Sequence, residues 1–116
     1  MIETTHVPEG TYRVRVSTVK VSTTRAGHDR WALRLTVCDG GRWEDHQAGW
    51  DSIVIPSPRA LRVLDVLGFD GYPSDCADLM GCTAIVTFRR CVVVVGESGV
   101  PLARLEVPHD GWRTAR

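Results

Sequence analysis

Alternation of apolar and polar residues between Gly10 and Asp39 constrains the fold of this chain more than any other feature. The apolar positions are Tyr12, Val14 and Val16 in a first segment and Trp31, Leu33, Leu35 and Val37 in a second. Four arginines stand at alternate positions among them: Arg13, Arg15, Arg30 and Arg34. Because successive side chains of a strand point to opposite faces, this pattern predicts two strands with an apolar inner face and a cationic outer face.

The first strand changes the parity of its apolar residues within its own length. The even-numbered Val14 and Val16 are followed by the odd-numbered Val19 and Val21. A strand that keeps one face on the core changes parity only through an extra residue or a sharp bend. We therefore predict a β-bulge near Ser17-Thr18 in a long, bent first strand.

The same patterns predict five strands, at residues 10–23, 30–38, 49–55, 83–95 and 100–107. Ser57-Pro58 predicts a helix start between the third and fourth strands, since serine caps a helix and proline at its first position loses no hydrogen bond. Gly68 ends this helix. Its apolar stripe, which we assign to the core together with Met80, consists of Leu61, Leu64 and Leu67, with Val63 beside them. Ser74 is expected to cap a short helical turn.

This order of elements predicts a mainly β fold, a five-stranded OB-fold-like Greek-key barrel with one α-helix between strands 3 and 4. An SH3-like barrel is the nearest alternative, but it does not explain the helix. The length of 116 residues suits one domain, with a core at residues 8–107 and a loosely held tail at residues 108–116.

Composition excludes several classes of function. No segment resembles a signal peptide or a membrane span, so we expect a cytoplasmic protein without membrane contact. The four cysteines show no Cys-x-x-Cys spacing and the four histidines are scattered, although His46 lies near Glu44, Asp45 and Asp51. We therefore expect a protein that is not an enzyme and that binds neither a metal nor a cofactor.

Several short motifs resemble a family of small phage and prophage proteins, formerly a domain of unknown function and regarded as single-stranded-DNA-binding OB-folds. The motifs are residues 8–14 (PEGTYRV), the turn at Gly27, residues 37–40 (VCDG), 50–53 (WDSI), 64–68 (LDVLG) and 78–81 (DLMG) before a valine-rich strand. The resemblance rests on their order and spacing over residues 8–107. It implies a barrel that binds single-stranded DNA.

Cationic residues on the outer faces and in the loops form the candidate interface. The candidate nucleic-acid-binding residues are Arg13, Arg15, Lys20, Arg25, Arg30, Arg34, Arg42, Trp43, Trp50 and Arg89. Arginine makes bidentate phosphate contacts, and 13 of the 14 basic residues are arginine. The turns at residues 25–28 and 96–99 correspond to the loops that flank the groove of an OB-fold.

Tryptophans supply the candidate stacking surfaces, since OB-folds bind single strands by stacking bases on aromatic rings. Trp31 shares the parity of the core residues and is assigned to the core. Trp43 lies in a polar loop without an obvious core partner, which makes it the better stacking candidate. Trp50 suits either role, and Trp112 is a candidate to cover a barrel end.

The sequence thus predicts a protein that binds single-stranded DNA, with RNA as the alternative, and with little sequence preference. The 14 basic and 14 acidic residues give no net charge, so the cationic face must be segregated to serve this function. The alternative is a protein-interaction or homo-oligomerisation module, indicated by four consecutive valines at residues 92–95.

Overall fold

The computed structural model describes residues 7–95 and 99–115, and for residues 92–95 and 100–104 it describes the backbone alone. The long strands are β1 (Gly10–Thr23), β2 (Asp29–Val37), β3 (Gln47–Ile55), β4 (Thr83–Val95) and β5 (Val100–Glu106). The helix α1 (Pro58–Val66) and a 3-10 helix (Cys76–Leu79) connect β3 to β4, and a short strand β6 (Trp112–Arg113) follows β5. The predicted turn at residues 96–99 lies outside the described residues except for Gly99.

The five long strands form one antiparallel sheet in the order β3-β2-β1-β4-β5. β3 and β5, the two ends of this order, come into contact without residue pairing in the described part of the chain. The sheet therefore curls into a nearly closed barrel with the helix inserted between the third and fourth strands. This confirms the predicted OB-fold-like architecture.

The alternation within β1 and β2 places the apolar residues inside as predicted. Val14, Val16, Leu33 and Leu35 are almost fully buried. The register between the two strands shifts between Val16 and Thr18, which confirms the predicted bulge. After the shift Val19 packs against the core, whereas Val21, at the same parity, is 55% exposed near the end of the strand.

Helix α1 contacts the barrel through a different stripe from the one predicted. Ala60, Val63 and Leu64 are buried, at the i, i+3, i+4 spacing of one helix face. Leu61, one position from Ala60, is 43% exposed, and Met80 is 48% exposed, so their assignment to the core is wrong. The small side chain of Ala60 faces the barrel in place of Leu61.

Both helices between β3 and β4 begin with a side-chain cap. Ser57 Oγ accepts a hydrogen bond from the backbone N–H of Ala60 (3.1 Å), as the Ser57-Pro58 motif predicts. The 3-10 helix is capped by Asp75, whose carboxylate accepts from Ala77 N–H (2.9 Å), rather than by the predicted Ser74. Aspartate and serine are equally good caps, so propensity alone could not separate neighbouring candidates.

The C-terminal residues are integrated into the barrel. Trp112 and Arg113 pair with Val86 and Ile85 of β4, and Trp112 is only 5% exposed. The tail is thus not loosely held at these two residues. The indole covers the interior of the barrel, the role that the sequence proposed for it.

Ser57→Ala should lower the free energy of unfolding by about 1 kcal/mol, because the first turn of α1 loses its cap. Urea denaturation measures this loss. Ser74→Ala is the matched control, since Ser74 is exposed and is not the cap, and it should change stability by less than about 0.5 kcal/mol. Equal losses in the two variants would contradict the assignment of the caps.

Candidate nucleic-acid interface

The outward residues of β1, β2 and β3 bring a tryptophan and three cations onto one face. Arg34 of β2 lies opposite Trp50 of β3 and opposite Thr18 of β1. Arg30 lies four residues from Arg34, about 13 Å along the strand, and Lys20 lies on β1 opposite Ala32. We call Lys20, Arg30, Arg34 and Trp50 the Trp50 face.

Lys20 and Trp50 contact each other across β2. The Lys20 Nζ lies 5.2 Å from the centre of the Trp50 ring, within the range of a cation–π interaction. Lys20 crosses β2 at Ala32, the smallest outward residue of that strand. The contact holds a cation beside an aromatic ring that is 39% exposed.

Within the described part of the chain, Lys20, Arg30 and Arg34 have no carboxylate within 4.0 Å. The outward positions of β2 and of β3 from Trp50 onward carry no acidic residue either: Arg30, Ala32, Arg34, Thr36, Trp50, Ser52 and Val54. The Nε of Arg34 is buried and lacks a hydrogen-bond partner among the described residues. The Trp50 face is therefore a local positive surface on a neutral chain.

Arg25 extends this surface at the turn that joins β1 to β2. Thr24 N–H donates to His28 O (2.8 Å) and Gly27 N–H to Thr24 O (3.0 Å), which closes a tight turn. Gly27 has φ +87°, a conformation that favours glycine. Arg25 is exposed at the tip of this turn, at the end of the hairpin nearest Arg30.

Arg13 and Arg15 lie farther along β1 and face other neighbours. Arg15 Nη1 lies 3.3 Å from Asp45 Oδ1 in an exposed ion pair. Arg13 lines a cleft of about 360 Å³ with the end of α1 and residues 81–83. Near both arginines, burial raises the pKa of the Cys38 thiol although Arg13 opposes this shift. Arg15 lies opposite Thr36, two residues from Arg34 on the same outward face, but unlike Arg34 it is paired with a carboxylate.

Arg42 and Trp43 lie in the loop between β2 and β3, at the opposite end of β2 from Arg25. Trp43 is partly buried and packs against the core, contrary to the expectation that it lacks a core partner. Its ring also contacts the guanidinium of Arg42 at 5.2 Å and the edge of His46 at 5.3 Å. The more open aromatic ring is that of Trp50.

Arg89 lies on β4, away from the Trp50 face. Its cross-strand neighbour is Glu106 of β5, without an ion pair within 4.0 Å among the described residues. Arg89 also lines a cleft of about 370 Å³ with Arg113 and Asp110. The ten candidate residues are therefore spread over the barrel, and the structure gathers Lys20, Arg25, Arg30, Arg34 and Trp50 on one side.

A polar network beside this face was not anticipated from the sequence. The Asp51 carboxylate accepts hydrogen bonds from Arg59 Nη2 (2.6 Å) and from the Trp112 indole N–H (2.8 Å). Asp51 has the inward parity of Ile53, and an acidic residue at an inward position of a strand was the signal that the sequence offered. The network joins β3 to α1 and β6 along the edge of β3 that pairs with no strand in the described part of the chain.

A cleft of about 690 Å³ lies between β3 and β5, and Trp50 forms part of its wall. Its walls include Ser52, Arg59, Glu106 and His109. We call this the β3–β5 cleft. Its volume is within the range of small-molecule sites.

The histidine and acidic residues near position 46 do not form a common site. His46 Nδ1 lies 3.2 Å from the Glu44 carbonyl oxygen, whereas Asp51 is engaged by Arg59 and Trp112. Within residues 7–95 and 99–115 there is no group of three histidine, cysteine or acidic side chains placed to hold a metal ion.

None of the helices in the described residues has the length and apolar character needed to cross a membrane. In comparisons with known proteins, no family model and no curated protein sequence matches this chain.

Asp51→Asn should lower the free energy of unfolding by about 1–3 kcal/mol, because Arg59 and Trp112 both donate to Asp51 Oδ2 and both lose a charged acceptor in a site where Asp51 is 14% exposed. Asp45→Asn is the matched control. Its ion pair with Arg15 is exposed, and asparagine tolerates the φ of +67° at this position. It should cost less than about 1 kcal/mol. Similar losses in urea denaturation would contradict a structural role for the Asp51 network.

Proposed function

We propose that this protein binds single-stranded nucleic acid, DNA in the first instance, with little sequence preference. The observation that carries the proposal is the Trp50 face, where an exposed indole lies among three cations without ion-pair partners in the described part of the chain. In this proposal the cations contact phosphates and Trp50 stacks on a base.

Stacking on Trp50 explains how such a surface would hold a strand without reading its sequence. Every base has a π-face, and stacking on an aromatic side chain contributes about 1–3 kcal/mol per base. Trp50 lies on β3, directly opposite Arg34 of β2. The outer face of the second and third strands is where OB-folds bind oligonucleotides, so the location supports the proposal.

Phosphate contacts would come from Arg30, Arg34 and Lys20, with Arg25 at the adjoining turn. Each neutralised phosphate releases condensed counterions, which makes binding dependent on salt. Because these cations are not neutralised by carboxylates within 4.0 Å among the described residues, their charge is available to a ligand.

The resemblance to phage-type single-stranded-DNA-binding proteins points to the same function, and we propose membership of that family as part of the hypothesis. Two of its motifs fall on elements of the interface: the turn at Gly27 carries Arg25, and residues 50–53 begin with Trp50. Single-stranded RNA is the alternative ligand, since stacking and phosphate contacts serve both polymers.

A protein-interaction or homo-oligomerisation module on the same barrel is the alternative function. The valine run that suggested it lies at residues 92–95, whose side chains are outside the described part of the structure. Sedimentation of the purified protein with and without an oligonucleotide would separate the two hypotheses, because a pure interaction module would assemble without binding DNA.

Arg30→Gln should weaken binding to a fluorescein-labelled dT12 oligonucleotide, because one phosphate contact is lost. In anisotropy titrations from 25 to 200 mM salt, the slope of log affinity against log salt should fall in magnitude by about 0.7, the value for one contact with a single strand. Absence of saturable binding of the wild-type protein at low salt would overturn the proposed function.

Arg62→Gln is the matched control, because Arg62 is exposed on α1 and its loss changes the net charge equally. It should leave the slope unchanged. Arg89→Gln tests the other barrel face. A larger effect of Arg89→Gln than of Arg30→Gln would place the strand on β4 and contradict a site on the Trp50 face.

Trp50→Ala should weaken dT12 binding by about 5- to 150-fold, the equivalent of one lost stacking interaction, while the protein stays folded because the indole is already 39% exposed. Leu61→Ala, which removes an apolar side chain of similar exposure from α1, is the control and should bind normally. Thermal unfolding of both variants verifies the fold. Unchanged affinity in Trp50→Ala would exclude stacking on this ring.

A further inference from the structure

The β3–β5 cleft is lined by Trp50 and exposes an edge of β3 that pairs with no strand among the described residues. The Ser52 carbonyl accepts a hydrogen bond from Arg59 Nη1 (3.0 Å), so the backbone groups of Ser52 point away from β2. In an antiparallel pair the backbone groups of a strand alternate between its two sides. The N–H and C=O of Trp50, two residues earlier, therefore also point away from β2 and into the cleft.

These main-chain groups of Trp50 have no partner among the described residues, because β3 pairs with β2 alone in that part of the chain. The cleft thus offers one backbone hydrogen-bond donor and one backbone acceptor next to an exposed aromatic ring. Its volume of about 690 Å³ is within the range of pockets that hold small ligands. A base that stacks near Trp50 can direct its hydrogen-bonding edge to this strand edge.

Glu106 gives the cleft a chemical preference. It lies on β5 across from β3, and its carboxylate is exposed and has no ion-pair partner within 4.0 Å among the described residues. An ionised carboxylate only accepts hydrogen bonds. It therefore favours a base edge that carries an amino group, as glutamate does with the N4 amino group of cytosine.

We propose that the β3–β5 cleft binds one base of the bound strand and prefers bases with an exocyclic amino group, through Glu106 and the main-chain groups of Trp50 that lack a partner among the described residues. This inference rests on the proposed function and adds a modest base preference to it. Arg89, the cross-strand neighbour of Glu106, lies outside the walls of the cleft, and Arg59, which lines the cleft, is paired with Asp51.

The test compares labelled dC12 and dU12, which differ only at the 4-position and in the adjoining ring proton. The wild-type protein should bind dC12 about fivefold more tightly than dU12, the lower end of what one contact to a base edge contributes. Glu106→Ala should bind the two oligonucleotides with equal affinity. Asp65→Ala, which removes an exposed carboxylate of α1 and changes the net charge equally, should keep the fivefold preference.

The outcomes separate this inference from the proposed function. Equal binding of dC12 and dU12 by the wild-type protein would overturn the base preference and leave single-strand binding in place. A preference that persists in Glu106→Ala would overturn the role of Glu106. Failure to bind either oligonucleotide would overturn both proposals.

Discussion

Closure of the barrel depends on the bulge in β1. β1 pairs with β4 over residues 10–15 and with β2 over residues 14–23, so one strand must bend to serve two neighbours. The bend falls at Ser17, whose hydroxyl donates to the Arg34 carbonyl (3.2 Å) and lies 2.8 Å from the Thr36 hydroxyl. Val16 is held on the other side by hydrogen bonds with Gly81 and Cys82.

The same extra residue determines which side chains reach the Trp50 face. Before the bulge the odd-numbered Arg15 points outward, and after it the even-numbered Lys20 does so while Val19 turns to the core side. A strand of uniform parity would direct Lys20 inward and Val19 to water. The cation–π contact between Lys20 and Trp50 therefore depends on the same β-bulge that bends the first strand.

Local patterns sufficed for the strands, the bulge and the cap at Ser57, because each rests on spacing along the chain. They failed where contacts between distant residues decide. Ala60 rather than Leu61 faces the barrel, and Trp112 and Arg113, in a tail expected to be loosely held, pair with β4. Within the candidate interface, the polar loop around Trp43 predicted an exposed ring, but Trp43 is partly buried and packs against the core. The Asp51 network joins Asp51 to Arg59 and Trp112, which lie 8 and 61 positions later in the chain, and no local pattern predicts such contacts.

Neutrality of the chain determines how the Trp50 face could hold a polyanion. Long-range attraction to nucleic acid grows with excess positive charge, and 14 basic residues here balance 14 acidic ones. Electrostatic attraction of a polyanion to the chain is then confined to distances near the Debye length, about 8 Å at physiological salt. At such distances the polyanion interacts only with the cations of one face. On the proposed function, few phosphates would be neutralised. The indole of Trp50 and the edge of β3 that is unpaired among the described residues would then contribute a larger share of the binding free energy than in a strongly basic protein.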